Sequence, residues 1–209
     1  MSISQNTFFT VTPASNPRSK ATSSLNDVDY FFYIVENGDL RVKTFSGGQS
    51  YTLDVNTRWV DTIQGVDTIH VYYSRDSLIF HIPFQNFGQS NGVPVNTGLS
   101  SAFTTFSTNY AANTTVSATP TPAYLLLLDD GISHNLYAAS DADFHNVLGI
   151  KRTFSNLVDP AYYVRRPMIS LHPQDDGVTN VCTINVQRIK VSDGSSQVGF
   201  LVVRIPGVD

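Results

Sequence analysis

The stretch over residues 30–45 constrains this chain more than any other, because two apolar runs, 30–35 and 40–45, flank Glu36-Asn37-Gly38-Asp39. Asn-Gly between such runs is the strongest short signal for a β-hairpin, since a type I′ turn needs positive φ at both central residues. With Asn37 and Gly38 as the loop, Val35 faces Leu40, Tyr33 faces Val42 and Phe31 faces Thr44, which makes that side the expected core face. The opposite side pairs Ile34 with Arg41 and Phe32 with Lys43, where long basic stems lie across apolar surface.

A second hairpin is expected over 68–74 and 77–83 around Arg75-Asp76, with Ile69, Val71 and Tyr73 opposite Ile82, Phe80 and Leu78, and with His70, Tyr72, Ile79 and His81 outside. Its turn follows the first by 38 residues, and Val28-Asp29 ahead of the first hairpin matches Val66-Asp67 ahead of the second. Self-similarity at that spacing suggests a repeated sheet unit or a propeller. A third hairpin joins 181–191 to 198–205 through Ser192-Asp193-Gly194-Ser195, with Cys182, Ile184 and Val186 alternating against Thr183 and Asn185. Between these lie a strand over 124–128, whose four leucines suggest burial on both faces, a turn at Asp129-Asp130-Gly131 and a strand over 136–139. Phe144, Val147 and Leu148 fall near helical spacing, so 143–153 is the one expected helix.

Two stretches stand apart. Residues 1–29 read as an extended N-terminal arm, with Ile3, Phe8, Phe9 and Val11 as its few apolar anchors, and 85–122 reads as a long ordered loop carrying Phe87, Phe103, Phe106 and Tyr110. Both hold too little apolar side chain to order themselves, so each is expected to be covered, most economically by a symmetric neighbour. Phe8, Phe9, Phe87, Phe103, Phe106 and Tyr110 are the expected interface residues. Residues 30–209 are expected to form a single all-β domain, an antiparallel β-sandwich of jelly-roll type, with a small β-propeller or a duplicated β-hairpin sheet as the alternative.

Composition narrows the function classes. Charged residues are 14% of the 209, against roughly 25% in an average soluble domain. The formal charge of −4, from 13 Lys and Arg against 17 Asp and Glu, leaves no footprint for nucleic acid. Cys182 is the only cysteine, which excludes an intrachain disulfide. The N-terminal Met1-Ser2-Ile3-Ser4-Gln5 lacks a secretory signal, and the apolar run 123–128 is far short of the ~20 residues of a membrane helix, so a soluble product without membrane insertion is expected.

The candidate chemistry is sparse. Cys182 shares the apolar face with Ile184 and Val186 and reads as a structural thiol. His70 and His81 oppose each other if the second turn is at Arg75-Asp76, which would offer zinc two ligands, but no further ligand lies nearby in sequence. Asp141, Asp143 and His145 alternate as oxygen and nitrogen donors but lack the glycine and distal acid of a calcium loop. No nucleophile elbow, zinc-protease helix, phosphate loop or Cys-x-x-Cys pair occurs. No cofactor or catalytic residue is therefore assigned. Paired carboxylates such as Asp61 and Asp67 keep a glycosidase as a third choice. Trp59, Tyr162 and Tyr163 are the aromatics expected to contact a glycan.

In texture the chain resembles bacteriophage and other viral structural β-proteins: few charges, abundant Thr, Asn, Ser and aromatics, hairpins joined by long loops, and an extended arm. That resemblance implies a non-enzymatic capsid, spike or tail component, made in the host cytoplasm and carried in the virion. Its partners would be further copies of itself as a homo-oligomer, other virion proteins and a host-surface glycan. A carbohydrate-binding, lectin-like module, itself suited to receptor binding, is the alternative.

Overall fold

The computed structural model describes residues 20–65, 67–86, 92–100, 106–112, 122–129, 134–139, 141–145, 152–154, 161–173 and 179–206. Contacts divide the chain into two compact units, one of Met1–Asp76 with Ile82–Pro94 and the other of Ser77–His81 with Val95–Asp209. Unit 1 begins with β1 (Lys20–Leu25), β2 (Val28–Ile34), β3 (Leu40–Thr44) and β4 (Tyr51–Asp54), which form one sheet in that order. It continues with β5 (Thr57–Gln64) and β6 (Ile69–Arg75). The strand β7 (Leu78–Phe84) belongs partly to each unit, and β8 (Val95–Ser100) ends the sheet β5-β6-β7-β8. Unit 2 adds β9 (Phe106–Ala112), β10 (Pro122–Asp129), β11 (His134–Ala139) and β12 (Arg152–Phe154) as a third sheet, and β13 (Tyr162–Pro173), β14 (Thr179–Lys190) and β15 (Ser196–Pro206) as a fourth.

The class is all-β and antiparallel, and among the described residues no helix is long and apolar enough to cross a membrane. Within each sheet the spatial neighbours are also sequence neighbours, so every sheet is a meander. Greek-key connections of the jelly-roll kind pair strands distant in sequence; none of the four described sheets contains such a pair. The antiparallel all-β class expected for a sandwich and for its alternative alike is present, built of four meanders among the described residues. The 38-residue spacing has a structural counterpart, because the two hairpins are the second and third strands of successive four-stranded sheets.

The first hairpin forms where expected but with a different register. Gly38 N–H donates to the Val35 carbonyl at 2.8 Å and Val35 N–H to the Asp39 carbonyl at 3.1 Å, so the loop has three residues, Glu36-Asn37-Gly38, rather than two. Gly38 sits at φ +88°, the left-handed residue that closes a three-residue loop of this kind. The pairing therefore runs Ile34 to Leu40, Phe32 to Val42 and Tyr30 to Thr44. A one-residue slip exchanges the faces of a strand. Tyr30, Phe32 and Ile34 line the core with Leu40 and Val42 while Phe31 and Val35 are only half-buried; Tyr33, expected on the core face, is buried as well. Phe84 meets Tyr30 and Phe32 edge to face at centroid distances of 5.0 and 5.3 Å, contacts worth about 0.5–1.5 kcal/mol each beyond the area they bury.

The second turn is also displaced. Asp76 and Ser77 carry the positive φ values, 51° and 64°, one position later than Arg75-Asp76. A two-residue turn at that place does not set His70 opposite His81. Tyr72, Ile79 and His81, expected on an outer face, are all buried.

The last part of the expected N-terminal arm, residues 20–29, is strand and turn. Asn26 and Asp27, at φ 50° and 60°, close a two-residue turn that pairs β1 with β2 from Leu25–Val28 to Lys20–Tyr33. Residues 1–19, with Phe8 and Phe9, lie outside the described residues. The expected loop 85–122 carries two strands, β8 and β9, in which Thr, Val, Tyr and Phe favour a pleated surface even without clean alternation. Of the expected helix over 143–153, the described residues belong to a turn at 141–145 and to β12, and Phe144 has φ +58°, which a right-handed helix does not admit. In β10, Leu125, Leu126 and Leu128 are all buried, so the leucine run is covered on both faces.

Candidate functional site

Unit 1 contains a polar groove of about 430 Å³, within the size range of small-ligand sites. Thr22, Ser23 and Ser24 of β1 form one wall, Thr62 and Gln64 of β5 the other, and Asp29 of β2 and Phe45 after β3 complete it. The groove exists because β1 is the edge of its sheet and β5 the edge of the next, and the two lie side by side. One side-chain bond crosses between them, from the Thr62 hydroxyl to the Thr22 carbonyl at 3.3 Å.

The local sequence prepares this site. The Asn26-Asp27 turn fixes a register in which Ser24 is the cross-strand partner of Asp29, and the Ser24 hydroxyl donates to Asp29 Oδ1. Phe45 is held from two directions. Its N–H donates to the Asp29 carbonyl at 3.0 Å, and its ring meets Phe31 edge to face at 6.1 Å. Beyond it Thr44 Oγ1 donates to the Gly47 carbonyl at 2.6 Å, fastening the bend that follows. Phe45 remains 36% exposed, so its ring offers a surface to a ligand. The lining combines hydroxyls, one amide, one carboxylate and one aromatic, which is a set that hydrogen-bonds and stacks.

A second cluster lies in unit 2. His81 of β7 is 3% exposed, and its Nδ1 is 2.6 Å from Asp143 Oδ1, on a carboxylate 37% exposed. Burial holds the His81 imidazole below its ordinary range, more than Asp143 and Asp141 raise it, so the ring is neutral near neutral pH. An ionised carboxylate only accepts, which assigns the proton to Nδ1. Asp143 reaches His81 from the turn in which Asp141 Oδ1 accepts the His145 N–H at 3.0 Å and the Asp141 carbonyl accepts the Phe144 N–H at 3.2 Å. The expected donor set is thus divided: the Asp141 carboxylate caps its own turn and the Asp143 carboxylate serves His81. Among the described residues no group of three or more His, Cys, Asp or Glu is placed to hold a metal ion.

The other residues singled out in the sequence are scattered. Trp59 lies inside β5 at 1% exposure and is part of the core, so it presents no ring to a glycan. Tyr162 and Tyr163 open β13, paired with Lys190 and Ile189. Phe106 and Tyr110 lie on β9, paired with Leu128 and Tyr124. Phe87 and Phe103 lie outside the described residues. Cys182 sits on β14 between Leu171 and Val203. Asp61 is buried and accepts the Thr62 N–H at 3.0 Å, while Asp67 Oδ1 accepts from the Thr68 hydroxyl at 3.2 Å. Trp59, Asp61 and Asp67 are not among the groove's lining residues. Thr22, Ser23, Ser24 and Asp29 of the groove were missed because 20–29 reads as arm, where the turn-forming pair Asn26-Asp27 was the available signal; no sequence signal marked Phe45, Thr62 or Gln64.

The site and sheets define an all-β antiparallel protein of repeated meanders with a polar surface groove. No family model and no curated protein matches the chain. Among solved structures, the crystal structure of endo-arabinase from Bacteroides thetaiotaomicron VPI-5482 is similar, with a TM-score of 0.52 and 12% identity over 93% of this chain and 82% of that one. At that identity the likeness is one of fold.

Proposed function

We propose that the chain is a non-enzymatic carbohydrate-recognition protein whose ligand occupies the groove of unit 1. The observation that carries this reading is the lining: five hydroxyl or amide side chains and one carboxylate surround a fixed, exposed Phe45. A sugar presents hydroxyls at its rim and C–H groups on its face, and such a mixed surface complements that lining. Binding without hydrolysis is favoured because Asp29 is the single carboxylate among the described lining residues, whereas glycoside hydrolysis ordinarily takes two facing acids. A fold shared with an endo-arabinase is compatible with a carbohydrate ligand.

A multivalent glycan array tests the proposal. The chain is expected to retain a defined set of saccharides, and Phe45→Ala, which removes an exposed ring, is expected to weaken retention about tenfold while leaving the fold intact. Absence of binding at high multivalency would overturn it.

A second reading, an assembly component of a virus particle, is favoured by exposed apolar side chains near the end of the β14–β15 hairpin. Val191 and Val198 are 65% and 80% exposed there. The two readings join in a homo-oligomeric, receptor-binding virion protein. Mass measurement in solution separates them: assembly requires a multimer, and a monomer at high concentration removes this reading.

A further inference from the structure

Resting on the saccharide reading of the groove, we infer that the site selects neutral sugars and rejects acidic ones, with Asp29 as the residue that sets this preference. Thr22, Ser23, Ser24, Phe45, Thr62 and Gln64 carry no formal charge, so Asp29 alone determines the sign of the field among the lining residues. Among the described residues, no lysine, arginine or histidine lines the groove to neutralise a uronate, sialate or sulfate. An anionic ligand would lose hydration and meet a like charge, an interaction that strengthens as the effective dielectric falls from that of water.

For a neutral sugar the same carboxylate is an asset. Ionised, it only accepts hydrogen bonds, and sugar hydroxyls are donors. Bonds to a charged acceptor are the stronger kind. Ser24, opposite Asp29 across the strand pair, donates to Oδ1 and fixes the carboxylate before ligand arrives. Phe45 is anchored through its N–H to the Asp29 carbonyl, so the stacking surface and the acceptor are spaced by one piece of backbone.

The test compares immobilised glucose and galactose oligosaccharides with their uronic acid counterparts at neutral pH, using the intact chain, Asp29→Asn and Phe45→Ala. Asn keeps the size of Asp and one acceptor oxygen, so Ser24 retains a partner, and matching urea midpoints confirm that the variant folds. The intact chain is expected to prefer the neutral member at least about tenfold. Asp29→Asn is expected to bring the two members within about threefold, and to weaken neutral binding by roughly tenfold through loss of charge-assisted bonds. Equal or better binding of the uronic acids by the intact chain, or unchanged discrimination in Asp29→Asn, would overturn the inference. If Phe45→Ala still weakens binding about tenfold in that case, the groove reading survives alone. If no sugar binds, or Phe45→Ala binds as the intact chain does, the groove reading fails and this inference falls with it.

Discussion

His81 shows how one side chain links burial to pH. Its imidazole is buried and hydrogen-bonded through Nδ1 to Asp143, and burial outweighs the two nearby carboxylates, Asp143 and Asp141, so its pKa lies below the ordinary value of 6.5. In the unfolded chain the same ring protonates around 6.5. Above that pH both states are neutral and His81 adds no pH dependence. Below it the unfolded state binds the proton first, so stability falls as pH drops through the interval between the unfolded and folded values. Urea midpoints measured between about pH 7 and 5 are expected to decline, and His81→Gln is expected to flatten that decline. An identical slope in the variant would contradict the assignment. Neither partner of this pair was legible as a pair in the sequence, because 62 residues separate them and only the fold brings them together. The donors Asp141, Asp143 and His145 were visible as a cluster, but a list of donors does not reveal that a turn and a buried histidine already engage two of them.

At the scale of elements, the firmest tie in unit 1 joins the end of β4 to β6. Arg75 Nη1 donates to both oxygens of Asp54, at 3.0 and 2.8 Å, and the Tyr73 hydroxyl donates to the same carboxylate. Asp54 is only 9% exposed, and Tyr73 is buried with its phenol pKa pushed well above the ordinary value, first by burial and then by Asp54. Asp54→Ala would strip a buried phenol and a half-buried guanidinium of their acceptor at once. A loss of about 2–4 kcal/mol in unfolding free energy is expected, read from chemical denaturation; a loss below about 0.5 kcal/mol would show the tie to be ornamental. Hairpins were the part of this level that sequence exposed best. Asn37-Gly38, Asp193-Gly194 and the leucine run each marked a real element. Register was the weaker inference, since a dipeptide signal does not distinguish a two-residue loop from a three-residue one. At Gly38 the difference of one residue exchanged Phe31 for Phe32 in the core. β1, β8 and β9 escaped notice because they are polar strands at or near sheet edges, where little apolar alternation is required.

For the whole molecule, an all-β antiparallel class was legible from aromatic and β-branched residues spaced by turn signals, and the structure has that class. The order of strands was not legible. A sandwich and a series of meanders use the same alternation, and only pairing between particular strands separates them. The 38-residue echo between hairpins was the one sequence feature that pointed to serial meanders, and its physical basis is the equivalent place of the two hairpins in successive sheets. Such an architecture leaves edge strands side by side, and at β1 and β5 that meeting makes the groove. Function in this account therefore depends on a seam between elements rather than on any motif. Amide and methyl chemical-shift mapping during titration with a neutral oligosaccharide tests that directly. The account predicts perturbations gathered at Thr22, Ser23, Ser24, Asp29, Phe45, Thr62 and Gln64; saturable shifts centred elsewhere, or none at millimolar sugar, would contradict it.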